Sequence, residues 1–152
     1  MLQLSPMTPR DRGELIEFLR NVDLTLSGLD SPTVRLWIER DAESGAIVAS
    51  TGFECSDDGS QVLIRSVAVD PTRRNRGTGV ALAGFVLDRA AECGADQAWL
   101  FSRRSGEFWQ RLGFTPATTE DLAEALPSTH QVRYFAGTGQ LAREVAWSRP
   151  LR

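Results

Sequence analysis

Val67-Ala68-Val69-Asp70-Pro71-Thr72-Arg73-Arg74-Asn75-Arg76-Gly77-Thr78-Gly79-Val80 is the stretch on which the reading of this chain turns. Its first three residues end an apolar, β-branched run that begins at Gln61, and Asp70-Pro71 breaks it, the pattern of a strand meeting a turn. From Thr78 to Cys93 the period changes. Ala83, Val86, Leu87 and Ala90 recur at helical spacing and Gly94 supplies a stop. Two glycines therefore stand where a helix begins. Glycine inside a helix costs about 1 kcal/mol relative to alanine, so stability alone does not place them there. What they permit is close approach of a ligand to backbone N–H groups. A helix start offers unsatisfied donors and a partial positive charge, and Arg73, Arg74 and Arg76 add full charges beside it. An anionic small molecule, a pyrophosphate above all, is the partner such a turn suits. No Gly-Lys-Ser/Thr ending follows, which excludes a nucleotide P-loop, and the glycine spacing differs from the dinucleotide fingerprint.

Upstream, β-branched and apolar residues over 46–55 and 61–69 form two strands, and Ser56-Asp57-Asp58-Gly59-Ser60 turns them into a hairpin. Downstream, 97–101 reads as a short buried strand and 105–112 as a short helix ending at Gly113. Strand, helix and strand from 61 onward make a βαβ unit with two parallel strands. Thr8-Pro9 opens an amphipathic helix carrying Leu15, Ile16, Phe18, Leu19 and Val22. Residues 33–40 alternate and suit a short strand or helix. Thr118 or Thr119 caps a short helix that ends before Pro127, and 144–149 reads as a final edge strand. The sum is an α+β domain over 1–152, a mixed sheet with helices on both faces.

Composition narrows the function classes. The 152 residues are 41% hydrophobic and 24% charged, enough for one domain with a true core. No apolar run is long enough to span a bilayer, and the N-terminus has no signal pattern, so a cytoplasmic protein is expected. The net charge of −3 gives no overall attraction to nucleic acid or membrane surface. Every basic residue is arginine, which rules out a lysine Schiff base. Two cysteines, Cys55 and Cys93, and the lone His130 supply too few ligands for a structural metal site, so no metal is expected.

The quoted stretch resembles the GNAT N-acetyltransferase superfamily, whose Q/R-x-x-G-x-G/A pattern is matched by Arg74-x-x-Gly77-x-Gly79. Phe108-Trp109-Gln110-Arg111-Leu112-Gly113-Phe114 resembles that family's F-Y-x-x-x-G-F block, about thirty residues on and in the same order. The resemblance covers nearly the whole chain. It implies a twisted, mostly antiparallel sheet and acetyl-CoA as acyl donor. It places the cofactor on Val67, Ala68 and Val69, on Arg74, Asn75, Arg76, Gly77, Thr78 and Gly79, and on Phe108 and Trp109. Gly52-Phe53-Glu54 and 63–69 look most like a branch associated with arsenic-resistance operons, although Ala136-Gly137-Thr138-Gly139 stands where that branch carries Cys-Pro.

The implied reaction is attack of a small molecule's primary amine on the thioester, which needs a base for the ammonium and a donor for the departing thiolate. Trp109 occupies the family's tyrosine place, and an indole N–H hydrogen-bonds but does not deliver a proton as a phenol does. Tyr134, the sole tyrosine, is the alternative donor, with water a third. Glu54 is the candidate base, beside His130 and a water chain. Arg65 is a charge inside an apolar strand, on a face with Leu63, Val67 and Val69. A register that sets Glu54 opposite Leu63 makes it a diagonal ion-pair partner of Glu54. The other role open to Arg65 is a substrate-binding clamp. A protein N-acetyltransferase and a catalytically weak acyl-CoA-binding module are the rival functions, and a homodimer is one assembly the sequence allows.

Overall fold

The strands carry the architecture, and the way two of them part positions the site. A computed structural model describes residues 2–74 and 77–151. Strands β1 (Ser5–Pro6), β2 (Val34–Arg40), β3 (Ile47–Cys55), β4 (Gln61–Val69), β5 (Gln97–Phe101), β6 (Thr115–Ala117) and β7 (Ala146–Pro150) form one sheet in the order β1-β2-β3-β4-β5-β7-β6. Only β4 and β5 are parallel; the other pairs are antiparallel. Helices α1 (Arg12–Asn21), α4 (Thr119–Ala125) and α5 (His130–Thr138) cover one face. Helices α2 (Thr78–Glu92) and α3 (Gly106–Arg111) cover the other. Among the described residues no helix is long and apolar enough to cross a membrane.

Local chemistry accounts for the elements. Thr8 donates through its backbone N–H and its hydroxyl to Asp11 at 2.8 and 2.9 Å. The expected start at Thr8-Pro9 is a 3₁₀ turn, and α1 proper begins at Arg12, burying Leu15, Phe18 and Leu19. Residues 33–40, open to two readings, form a strand because their period of two puts Leu36 and Ile38 on the α1 side and Trp37 on the α2 side.

Three features depart from the sequence reading. Ser66 takes φ 59° and the β3–β4 register shifts between Ser50 and Gly52, a bulge with one extra residue on β4. The bulge reverses the phase of β4 beyond it. Arg65 stays with Leu63 on the α4–α5 side, but Val67 packs toward α2, so the expected common face of Arg65, Val67 and Val69 does not exist. The last strand is not an edge. The short β6 pairs outside β7, and Pro116 is tolerated there because the edge needs no second ladder. Helix α5, bracketed by Thr129 and by Gly139 at φ 77°, occupies a segment to which the sequence reading assigned no element.

Candidate active site

The β4–β5 ladder holds only from Gln61↔Gln97 to Leu63↔Trp99. Beyond it β4 continues to Val69 and β5 to Phe101 without pairing, so the strands part and leave backbone groups of β4 free. A cavity of about 680 Å³ opens at this parting. Val67, Ala68 and Val69 line it from β4. Arg74, Gly77, Thr78, Gly79 and Val80 line it from the turn and the first turn of α2, and Phe108 and Trp109 from α3. The sequence motifs thus meet at one place. Asn75 and Arg76 lie outside the described residues.

The two glycines of the motif do different work. Gly77 stands at φ 75°, a left-handed cap from which α2 springs, a conformation glycine takes without strain. Gly79 is helical, and a Cβ there would meet the Phe108 ring at 3.4 Å, so its lack of a side chain keeps the cavity wall open between α2 and α3. Arg73 is held by Asp41 at 2.7 Å, and Asp70 ties the turn by accepting from Thr72 N at 2.9 Å and Thr72 Oγ1 at 2.7 Å. Those bonds to Thr72 hold the Asp70 carboxyl below the usual carboxylate range. Helix-start amides and the exposed Arg74 lie together at this end of the cavity, where the sequence reading expects an anion. The donor set suits a pyrophosphate, and the unpaired edge of β4 suits an amide-bearing arm.

The expected catalytic residues fall elsewhere. Glu54 is 2% exposed and Arg65 is 3% exposed, and neither is among the cavity-lining residues. The register does set Glu54 opposite Leu63, and Arg65 Nη1 faces Glu54 Oε1 at 3.6 Å. Glu54 Oε2 accepts from the backbone N–H of His130 at 2.8 Å, and the imidazole Nε2 lies 3.9 Å from the same oxygen. Burial pushes the Glu54 carboxyl above its usual range, against the pull of that N–H and of Arg65. Arg65 Nη2 also donates to the carbonyl of Thr25, a cavity residue, at 3.5 Å. The pair stands behind the wall and braces it. Tyr134 is 51% exposed and is not among the lining residues. Trp109 is buried, with Phe108 and Phe114 edge-on at 5.0 and 5.3 Å.

The cavity extends past the motif into residues that sequence reading did not single out. Asp23 and Thr25 follow α1, Gln131 and Phe135 share a face of α5, and Arg103, Arg104 and Glu144 stand near the ends of β5 and β7. Thr129 and Gly139, which bracket α5, were the available signal for two of these. Among the described residues no group of three or more His, Cys, Asp or Glu is placed to hold a metal ion.

Comparison with known proteins agrees with this geometry. An amino-acid acetyltransferase from Aeromonas salmonicida is 31% identical over 85 residues, which are 56% of this chain and 19% of that protein. The chain thus spans about a fifth of the length of this curated relative. A GNAT-family acetyltransferase from Staphylococcus aureus superposes with a TM-score of 0.74 at 16% identity, covering 99% of both chains. A Mycobacterium tuberculosis protein solved with CoA gives 0.77 at 15% identity, covering 99% of this chain and 100% of that one. N-acetylglutamate synthase from Neisseria gonorrhoeae, solved with CoA and N-acetyl-glutamate, gives 0.70 at 16% identity, covering 100% of this chain and 36% of that one. At such identities the structural likeness speaks for the fold. The Acetyltransferase (GNAT) family profile matches residues 5–114, and with the parted strands and the glycine turn inside that span, the chain belongs to the GNAT acetyltransferase family.

Proposed function

We propose that the chain is an acetyl-CoA-dependent N-acetyltransferase acting on a primary amine of a small molecule. The observation that carries this is one continuous cavity that runs from the glycine turn at the start of α2, along the free edge of β4, to the walls of α5. In this reading Arg74, Gly77, Thr78 and Gly79, with Asn75 and Arg76, hold the pyrophosphate. The backbone of Val67, Ala68 and Val69 pairs with the amide-bearing arm. Acetyl-CoA supplies an activated acyl group that an amine takes by attack on the thioester carbonyl, with the thiol leaving. Phe108 and Trp109 wall one side of the cavity, and the Trp109 N–H is a hydrogen-bond donor, not a proton source, so water from the open side protonates the thiolate. Glu54 and Arg65 act as positioning residues through Thr25 and His130. With Glu54 behind the cavity wall, a water chain serves as the base.

The name of the Aeromonas relative favours amino compounds as acceptors. The narrower resemblance to the arsenic-resistance branch adds arsenic- and phosphorus-containing amino acids to the candidates. The proposal includes no nucleic-acid or membrane partner, in keeping with the net charge of −3; a cytoplasmic location is part of the same reading. The test mixes acetyl-CoA with the common L-amino acids, their arsenic and phosphorus analogues, aminoglycosides and peptides with free N-termini. Released thiol and product mass are the readouts. Small amines are expected to release CoA. Turnover of peptides alone would identify a protein N-acetyltransferase, and tight CoA binding without turnover of any amine would identify a binding module. Gly79→Asp, which puts a carboxylate against Phe108 and the pyrophosphate end, is expected to abolish CoA binding with the fold intact.

A further inference from the structure

Glu144 is the buried carboxylate of the cavity. It precedes the hydrogen bond from Ser102 N to Val145 O (2.9 Å), beside the place where β4 and β5 part. Its side chain is 6% exposed and it lines the cavity. The protein contacts on it fall on one oxygen. Gln140 Nε2 donates to Oε2 at 2.7 Å, and Arg103 Nε lies 3.5 Å from the same atom. These two partners fix the carboxylate, and among the described residues Oε1 has no donor.

The charges around the cavity give that oxygen a purpose. Arg73, Arg74, Arg103 and Arg104 line it against two carboxylates, Asp23 and Glu144. The Asp23 side chain is 78% exposed and meets Arg104 at 4.0 Å, so water screens it. An ammonium brought among arginines needs a countercharge that is not screened, and a charge-assisted bond gains most where water is excluded. Glu144 alone of the two offers this. The neighbouring wall is apolar: Phe135 lies edge-on to Phe101 at 5.0 Å, and one chain segment runs from Phe135 through Gln140 to Glu144.

We propose that Glu144 anchors the acceptor, its Oε1 accepting a hydrogen bond from the ammonium of a compact primary amine whose aliphatic part rests on Phe135. The inference rests on the N-acetyltransferase reading above and names the substrate-binding residue of that site. Glu144→Gln keeps the shape and the bond to one partner while removing the charge. It is expected to raise the acceptor KM about tenfold or more, with kcat changed much less and CoA affinity unchanged. A second measurement needs neither turnover nor a variant that folds. The CoA-loaded wild-type protein is titrated by NMR with n-butylammonium and, separately, with 1-butanol. The Val145 and Ala146 amides are expected to shift with the ammonium and not with the alcohol. An acceptor KM unchanged in a folded, CoA-binding Glu144→Gln variant overturns the proposal. So does a wild-type protein that binds CoA but shows no ammonium-specific shift at Val145. A wild-type protein that binds no CoA overturns instead the reading on which the proposal stands.

Discussion

Arg65 sits in the middle of β4 with its guanidinium fully buried, and its position could be argued from the sequence because a two-residue period and a five-residue turn fix a hairpin register. The charge is tolerable because Glu54 lies 3.6 Å away, Thr25 offers a carbonyl and Ser66 Oγ accepts from Nε at 3.4 Å. Breaking a buried pair from one side leaves the other charge stranded. Arg65→Leu is therefore expected to cost about 3–5 kcal/mol in urea unfolding at neutral pH. Adding Glu54→Gln, which keeps an acceptor for the His130 N–H, should recover much of that loss. The sign of the pH dependence comes from burial. Without Arg65 the folded-state Glu54 pKa rises further above its unfolded value, so the folded state holds the proton more firmly. The deficit of Arg65→Leu then grows as pH rises through that raised value and shrinks as pH falls. Equal losses in the single and double variants would show that the two charges are not coupled. The bulge at Ser66 was invisible to sequence reading at this scale, since a serine at positive φ leaves no compositional mark.

The β3–β4 hairpin is the element whose chemistry was most legible, and its turn explains why. Asp58 accepts from Ser60 N at 3.0 Å and from the hydroxyls of Ser56 and Ser60 at 2.8 Å each. The Ser60 N–H and the two hydroxyls bring its pKa down to about 2. A depressed carboxylate pKa contributes stability above the unfolded value, about 3.9, and loses it as pH falls through the folded one. A carboxyl-detected NMR titration is expected to place the Asp58 midpoint near pH 2, and Asp58→Ala should remove this part of the acid sensitivity of the turn. A midpoint in the ordinary aspartate range would mean that the turn opens in solution. The elements that escaped sequence reading are those whose identity is tertiary. β6 is three residues with a proline and exists as a strand because β7 offers it an edge. β7 became interior for the same reason. Glu144 was therefore read as the start of an edge strand, and its place in a cavity wall depends on α5 folding back beside β5. The half of the site built from contiguous motif was legible; the half assembled from four separated segments was not.

At the scale of the whole molecule, the sheet is two parts joined weakly in the middle. β1 to β4 form one antiparallel group, and β5, β7 and β6 another, with three parallel residue pairs between them. Helix α2 spans the junction, burying Leu82, Ala83, Val86, Leu87 and Ala90, and the cluster it forms with Val62, Ile64, Ala98 and Leu100 draws on both groups. The proposed donor site lies in the gap that this junction leaves open. A ligand that pairs with the free edge of β4 and with the start of α2 replaces ladder contacts the protein does not make for itself. It binds only the folded state, so it stabilises by mass action, about 2.7 kcal/mol at a hundredfold excess over Kd. For a chain of this size, each kcal/mol moves Tm by about 2–4 °C, so saturating acetyl-CoA should raise Tm by about 5–10 °C. The location distinguishes this from unspecific binding: amide hydrogen exchange is expected to slow at residues 64–69 and 77–80 and to change little at β2. If calorimetry finds no heat of binding and Tm stays fixed, the gap between β4 and β5 is not a CoA site. If Tm rises but protection appears only outside the gap, the donor binds elsewhere, and the parting of the strands needs another cause.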